Sequence, residues 1–267
     1  MVKGPNLLIK LKVSPELPRL NNLGETETVE SGNAALSPQI QSLGLHYLEL
    51  LPTPNTMYGD GAILYQGAET DLGGDNAIDF KKCKLYTFND EVYLSIPIED
   101  IAPGTYRYPR AMIAYQKVKV PILFNDANLE ASIATFLGFN TYIDKFDIED
   151  ETITVFDDKL QGFWGLEINY AGFSTSFEGQ SPPNETTAPN PLYATSPIPM
   201  GTCLVTGSFA EPLTIQGNET DDITVEITFS TNQSFEWKEL VLDGKFDPNI
   251  GEAPFDMGLR GLSARFY

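Results

Sequence analysis

Alternation of apolar and polar residues is the dominant pattern along this chain of 267 residues. Residues 7–13 and 40–51 place apolar side chains at every second position over much of their length, which is typical of a β-strand with one buried face. Apolar residues rarely recur at the three- and four-residue spacing of an amphipathic helix. In addition, 22 glycines and 19 prolines interrupt the chain at short intervals. The pattern therefore predicts an all-β protein.

The same criteria predict strands along the rest of the chain. In chain order these are 78–88, 92–98, 106–120, 142–148, 152–156, 161–170, 202–209, 213–215, 223–229, 235–242 and 262–267. We expect 92–98 to pair with 78–88, because Asn89-Asp90 is a turn signal. Gly, Asp and Tyr dominate 57–76, and 173–199 has little regularity, with five prolines from Pro182 to Pro197. We expect these two stretches to be loops. Residues 129–139 fit either a short helix or a buried strand.

The spacing of the later strands indicates how they are assembled. Strands at 202–209, 213–215, 223–229 and 235–242 follow one another at intervals of about ten residues, as in a β-sandwich. No fixed-period repeat indicates a propeller or a solenoid. We expect an antiparallel β-sandwich, immunoglobulin-like or jelly-roll-like, forming one compact all-β unit over 1–267. Two packed sandwich lobes with a boundary within 121–140 are the alternative.

The net charge narrows the class of partner. The chain has 17 Lys and Arg against 37 Asp and Glu, a formal charge of −20. Such a chain repels nucleic acids and anionic membrane surfaces at long range. Neutral glycans, divalent cations and proteins at a cell surface stay open as partners. Apolar residues make up 42% of the chain, which is enough for a sizeable core.

Two cysteines and the ends of the chain bear on its compartment. Cys83 and Cys203 lie outside any CxxC or Cys/His cluster, so a disulfide and two separate thiols both stay open.

No apolar leader follows Met1, and no window is long enough for a membrane helix. A cytosolic protein and a mature exported segment both fit. We expect the second, in a secreted or cell-envelope location, because lysines are few and Asn, Thr and Tyr are common.

An acidic loop near the C-terminus is the candidate metal site. Asp243, Asp247 and Glu252 are interleaved with Gly244 and Gly251. Calcium takes six to eight oxygen ligands, and glycines let a loop turn sharply enough to supply them. The sequence therefore predicts either no cofactor or a bound Ca²⁺ at these three carboxylates. A solvated acidic turn is the alternative.

Aromatic side chains are the candidate ligand-binding groups. Tyr58, Tyr65, Trp164 and Tyr193 lie in or near predicted loops or glycine-rich strands, where exposed rings stack on sugar C–H faces. Core packing is the alternative for each ring. It is the favoured alternative for Trp164.

Catalytic patterns are scarce, and we predict no catalytic residue. His46 is the only histidine, no GxSxG motif is present, and Glu167 beside Trp164 is the best candidate for a glycosidase acid. We predict a non-enzymatic binding or structural module of the cell envelope or secreted fraction. A carbohydrate-active protein, either a glycan-binding module or a glycosidase, is one alternative. A periplasmic metal-binding protein is another.

Five stretches of the chain resemble uncharacterised secreted lipoproteins of Gram-negative bacteria. They are IAPGTYRYPRA at 101–111, QGFWGLE at 161–167, TTAPNPLYATSPIPMGTCLVTGSF at 186–209, FSTNQSFEW at 229–237 and DMGLRGL at 256–262. The resemblance covers most of the chain and implies a cell-envelope protein without an assigned activity. It also implies a lipid anchor on a cysteine upstream of Met1, with no direct insertion of this chain into the membrane.

A fainter similarity is to the methanobactin-associated periplasmic copper-binding family. It rests on the Tyr-containing strand LGLHYLEL at 43–50, the Pro-Gly-Thr-Tyr turn at 103–106 and the Trp-containing strand that follows. This likeness implies a shared β-scaffold and a periplasmic metal-binding role. The chain differs from the family in having one histidine and no Trp-x-Trp pair.

Overall fold

The structure is a computed structural model that describes residues 4–21, 25–182 and 201–267. Within these ranges the only helical segments are three one-turn 3₁₀ helices, Phe80–Lys82, Ile98–Asp100 and Pro248–Ile250. No helix in the described part of the chain has the length and apolar character needed to cross a membrane. Strands make up most of the rest, and the prediction of an all-β fold is confirmed.

The strands are numbered in chain order. They are β1 Asn6–Ser14, β2 Asn33–Leu36, β3 Gln39–Leu51, β4 Ala62–Gln66, β5 Glu69–Thr70, β6 Ala77–Asp79, β7 Leu85–Tyr86, β8 Leu94–Pro97, β9 Gly104–Tyr106, β10 Tyr108–Phe124, β11 Ala127–Phe136, β12 Asn140–Asp147, β13 Thr152–Leu160, β14 Phe163–Tyr170, β15 Phe173–Gln180, β16 Cys203–Phe209, β17 Leu213–Ile215, β18 Ile223–Ser230, β19 Phe235–Lys238, β20 Pro254–Asp256 and β21 Leu262–Phe266.

One sheet of 12 strands organises the molecule. Its order is β15-β14-β11-β10-β16-β21-β18-β1-β8, and β3 pairs with β10, β4 and β7 beside this path. The 17-residue β10 joins the two halves, because β16 pairs with its first part and β11 with its second part. Most neighbours are antiparallel, but β1 pairs with β18, β16 with β21 and β6 with β12 in parallel.

The largest core cluster lies where the two halves of this sheet face each other. Leu7 and Ile9 of β1 and Val225 of β18 pack in the same cluster as Leu45 of β3 and Ile113 of β10. Inward-facing side chains from two layers that interdigitate in this way define a β-sandwich. The sandwich prediction is confirmed.

The β10-β11-β14 part of the sheet is covered on both faces. On one face, Val120, Ile133 and Leu166 pack on Trp237 and Phe246. Trp237 lies in β19 of the small sheet β2-β19-β20, and Phe246 lies in the loop between β19 and β20. On the other face, a separate cluster joins this sheet to β12 of the four-stranded sheet β13-β12-β6-β5; its members include Tyr115, Ala134, Phe136, Phe146 and Phe163. The range 121–140 is the β10–β11 hairpin and the start of β12 within this arrangement.

Several local predictions are wrong for reasons that pairing explains. Residues 92–98 do not pair with 78–88, because β8 pairs with β1. The predicted strand at 78–88 is broken by a 3₁₀ turn, and the predicted loop at 57–76 contains β4 and β5. β10 also continues past Pro121. Proline has no N–H to donate to a neighbouring strand, but the pairing of β10 with β3 already ends at Lys119, so no hydrogen bond is lost on that side.

Other local predictions are resolved by the same pairing. Residues 129–139 lie mostly in strand β11, and 173–180 form strand β15 rather than a loop. The predicted strand at 235–242 ends at Lys238. Cys83 and Cys203 are separate thiols, and burial raises the pKa of Cys83 to about 12.

Candidate functional site

A polar cleft opens on the face of β10, β11 and β14 that the β12–β13 sheet covers only in part. Along β11, Asn128, Glu130 and Ser132 alternate with the apolar Leu129 and Ala131, so the polar side chains share one face. Beyond the β12–β13 turn this face is open to solvent. The cleft has a volume of about 380 Å³, which is within the range of small-ligand sites.

Glu167 of β14 holds the β12–β13 turn at the edge of the cleft. Its Oε2 accepts hydrogen bonds from the backbone N–H groups of Glu149, Asp150 and Glu151 at 2.9, 3.2 and 3.1 Å. Asn169 Nδ2 donates to its other oxygen. Burial alone would raise the pKa of Glu167, but these donors outweigh it and the pKa lies below its ordinary value. Glu167 is therefore an ionised structural acceptor.

A Glu–Lys–Glu chain crosses the cleft. Lys119 Nζ lies 3.1 Å from Glu149 Oε1 and 3.5 Å from Glu130 Oε1. Burial acts to raise the pKa of Glu149, but hydrogen bonds from Gln41, Ser132 and Lys119 lower it overall. The hydrogen bond to Glu149 in turn raises the pKa of Lys119. Both partners therefore keep their charge at neutral pH.

The rim of the cleft combines exposed polar groups with an aromatic ring. The side chain of Glu130 is 59% exposed, and Tyr170 at the end of β14 is also 59% exposed. Asn128 adds an amide donor and acceptor, and Asn169 adds an amide oxygen, because its Nδ2 already donates to Glu167 and Asp150. Directed donors and acceptors around an open cleft suit a polyhydroxy ligand, because they match its hydroxyl groups. Tyr170 alternates with Asn169 along β14, so its ring starts from the opposite side of the strand and adds an apolar surface at the edge of the cleft.

The aromatic residues singled out in the sequence are not brought together. Tyr58 is buried against Tyr47, with ring centroids 4.5 Å apart, and Trp164 is 9% exposed in the core beside β19. Tyr65 is half-buried and lies edge-on to Tyr93. These three rings belong to or border three separate core clusters. Packing of rings from alternating positions accounts for this placement. Tyr193 lies outside the described residues.

The three carboxylates of the predicted metal loop accept hydrogen bonds from their own loop. Asp243 accepts from Lys245 N at 3.0 Å, and Asp247 accepts from Asn249 N at 2.9 Å. Glu252 is buried, and both of its oxygens accept backbone N–H donors. Over residues 4–21, 25–182 and 201–267, no group of three or more His, Cys, Asp or Glu side chains is arranged to hold a metal ion.

His46 is buried in β3, and its Nε2 lies 2.9 Å from Glu69 Oε1. Asn76 Nδ2 donates to the other oxygen of Glu69 at 2.9 Å. Burial lowers the pKa of His46 more than Glu69 raises it. The histidine is therefore neutral near pH 7 and anchors the β5 segment to β3.

The cleft residues Lys119, Glu130, Asn169 and Tyr170 are missed by sequence reasoning. The sequence feature that marks this face is the run of polar residues at every second position in β11. These side chains face solvent because the covering sheet stops at the β12–β13 turn. Glu167, the candidate glycosidase acid in the sequence, borders the cleft, but it acts there as an acceptor of backbone N–H donors.

Comparisons with known proteins add no relative to this picture. A scan against protein-family models, a search of curated proteins and a search of solved structures each found nothing that matches this chain.

Proposed function

We propose that the protein is a non-enzymatic binding module of the cell envelope or secreted fraction that holds a neutral glycan in the polar cleft. The observation that carries the proposal is the open cleft lined by Glu130, Lys119 and the two asparagine amides, with the exposed Tyr170 at its edge. Acidic charge and the absence of a basic patch in the sequence support a ligand without phosphate or sulfate groups.

The protonation states of the cleft support binding over hydrolysis. A glycosidase needs one carboxyl that keeps its proton near neutral pH and a second that stays ionised. Glu149 and Glu167 both have lowered pKa values because donors surround them. Both carboxylates are therefore ionised. Glu167 holds the β12–β13 turn and Glu149 pairs with Lys119, so they shape a site that orients hydroxyl groups.

A glycan array probed with the full chain tests the proposal, followed by calorimetry on any glycan that binds. We expect Tyr170→Ala to weaken binding about tenfold, because the stacking surface is lost. Tyr170→Phe is the matched control and should retain most of the affinity, since the ring remains. Glu130→Gln should weaken binding while leaving the fold intact, because Glu130 is at the rim.

Three outcomes would overturn this proposal. The array could show no bound glycan, the affinity could be unchanged in Tyr170→Ala, or the bound glycan could be cleaved during incubation with the wild-type chain. The last outcome would favour the glycosidase alternative.

A further inference from the structure

The loop after β19 presents three consecutive apolar side chains to solvent. Leu240, Val241 and Leu242, which we call the apolar tip, are 57%, 53% and 87% exposed. Ile250, in the 3₁₀ helix that follows, is 43% exposed. Isolated exposed apolar residues are normal, but a run of this kind at one loop marks an interaction surface.

The tip is held in place by the carboxylates of its own loop. Glu252 Oε1 accepts from Leu240 N at 2.8 Å, and its Oε2 accepts from Asp247 N at 2.7 Å. Glu239 Oε1 accepts from Asp243 N at 3.1 Å and also from Gly244 N. Gly244 adopts a φ of 72°, which glycine reaches without strain. The apolar side chains are therefore displayed by a pre-organised loop.

The loop is also tied to the core on its C-terminal side. Phe246 is buried and its ring centroid lies 5.1 Å from that of Phe235 and 5.7 Å from that of Trp237. The backbone N–H of Leu123 in β10 donates to Phe246 O at 2.8 Å. A tip fixed at both ends loses little conformational entropy when a partner covers it.

The charge around the tip indicates the chemistry of that partner. Residues 238–252 carry four carboxylates and two lysines, and the whole chain carries −20. An apolar pocket with a basic rim complements an apolar tip with an acidic surround. The segment has no Trp or Tyr, which membrane-interface segments use, and the acidic charge opposes both anionic lipids and a second copy of this chain.

We propose that the apolar tip is a docking element for a partner protein that has an apolar pocket rimmed by Lys or Arg. Leu242 is the central side chain, because it is the most exposed of the three. Asp243 contributes long-range attraction to the rim. This surface is separate from the glycan cleft, and the proposal does not depend on the proposed function.

The test uses the full chain with Val241→p-benzoylphenylalanine as a photo-crosslinking probe in the cells that make it. Each crosslinked protein is identified, purified and titrated against the wild-type chain and three variants. Leu242→Asp should weaken binding about 30-fold or more, as for a buried hot-spot residue. Leu72→Asp is the matched control, because Leu72 is 70% exposed in a different loop. It should bind as the wild type does.

Asp243→Asn tests the electrostatic part of the proposal. The amide oxygen still accepts from Lys245 N, so the loop geometry is retained. We expect slower association and a smaller dependence of the association rate on salt. Thermal unfolding of all variants should match the wild type, since the altered groups are exposed.

Four results would overturn the proposal. They are the absence of a crosslinked partner, equal binding by Leu242→Asp and the wild type, crosslinking only to a second copy of this chain, and binding to phosphatidylcholine vesicles that depends on Leu242. The last two results would assign the tip to self-association or to a lipid surface.

Discussion

In two loops on opposite faces of the β10–β11 hairpin, a buried glutamate accepts hydrogen bonds from backbone N–H groups. One of these loops borders a polar surface and the other displays an apolar one. In the first, Glu167 accepts three successive backbone N–H groups of the β12–β13 turn and borders the polar cleft. In the second, Glu252 accepts N–H groups at both ends of the loop that carries the apolar tip. Asn128, near the end of the hairpin, lines the cleft and also borders the second loop.

The two loops differ in which side chains remain exposed around the glutamate. Around Glu167, the neighbouring Glu149 and Lys119 remain at the surface with their charges paired, so the site suits a polar ligand. Around Glu252, the carboxylates of Glu239 and Glu252 accept backbone N–H groups of the loop, and the apolar side chains of Leu240 and Leu242 face solvent. Acidic residues in this protein therefore act as acceptors that shape loops, and the type of surface depends on the side chains between them.

The largest expected effect comes from removing either glutamate. Glu167→Ala and Glu252→Ala each leave several partly buried N–H donors without an acceptor, which should lower the free energy of unfolding by about 3 kcal/mol. Urea unfolding measures this loss. Glu99→Ala is the control, because Glu99 is exposed. A loss below about 0.5 kcal/mol in either alanine variant would contradict the comparison.

A smaller effect, specific to the first loop, is expected in acid. The pKa of Glu167 is lowered from its ordinary value of 4.5 on folding. Its contribution to stability is therefore present above about pH 4.5 and is lost as the pH falls through the folded-state pKa. Glu167→Gln should lower stability at neutral pH and reduce the change in stability between neutral and acidic pH. Unfolding of both proteins across this range checks the prediction, which fails if the two acid profiles are parallel.

A comparable pH effect is expected at His46, which belongs to neither loop and therefore serves as a reference for them. Burial lowers its pKa from the ordinary 6.5, so the unfolded chain binds a proton more readily than the folded one. Stability should then decline as the pH falls below about 6.5. His46→Gln should remove this part of the pH dependence. If His46→Gln and the wild type show the same dependence of stability on pH between pH 7 and 5, His46 has the same pKa in the folded and unfolded chains and the prediction is wrong.

The smallest effects on stability are expected at the exposed side chains. Tyr170→Ala and Leu242→Ala should each change the free energy of unfolding by less than about 0.5 kcal/mol, because both side chains are mostly in solvent. Each should impair only the binding event of its own loop. Loss of glycan binding in Leu242→Ala would mean that the two loops are coupled through the β10–β11 hairpin.

Much of the strand content could be predicted from the sequence, because alternation and turn residues are local. The predicted strand at 213–215 coincides with β17, and the predicted strands at 142–148 and 152–156 overlap β12 and β13. Alternation shows which side chains share a face, but it does not show what covers that face. The aromatic candidates illustrate this limit, because Trp164 and Tyr58 have neighbours supplied by distant segments.

By itself, the sequence determined the all-β class, the acidic surface and the absence of a local catalytic motif, since all three follow from composition and short-range periodicity. Only the tertiary structure decided the parallel pairing of β1 with β18 and the end of the covering sheet that opens the cleft. It also decided that Glu167 and Glu252 bind backbone N–H groups. The physical reason is that a carboxylate takes whichever donors the fold brings within about 3 Å, and segments distant in sequence set that geometry.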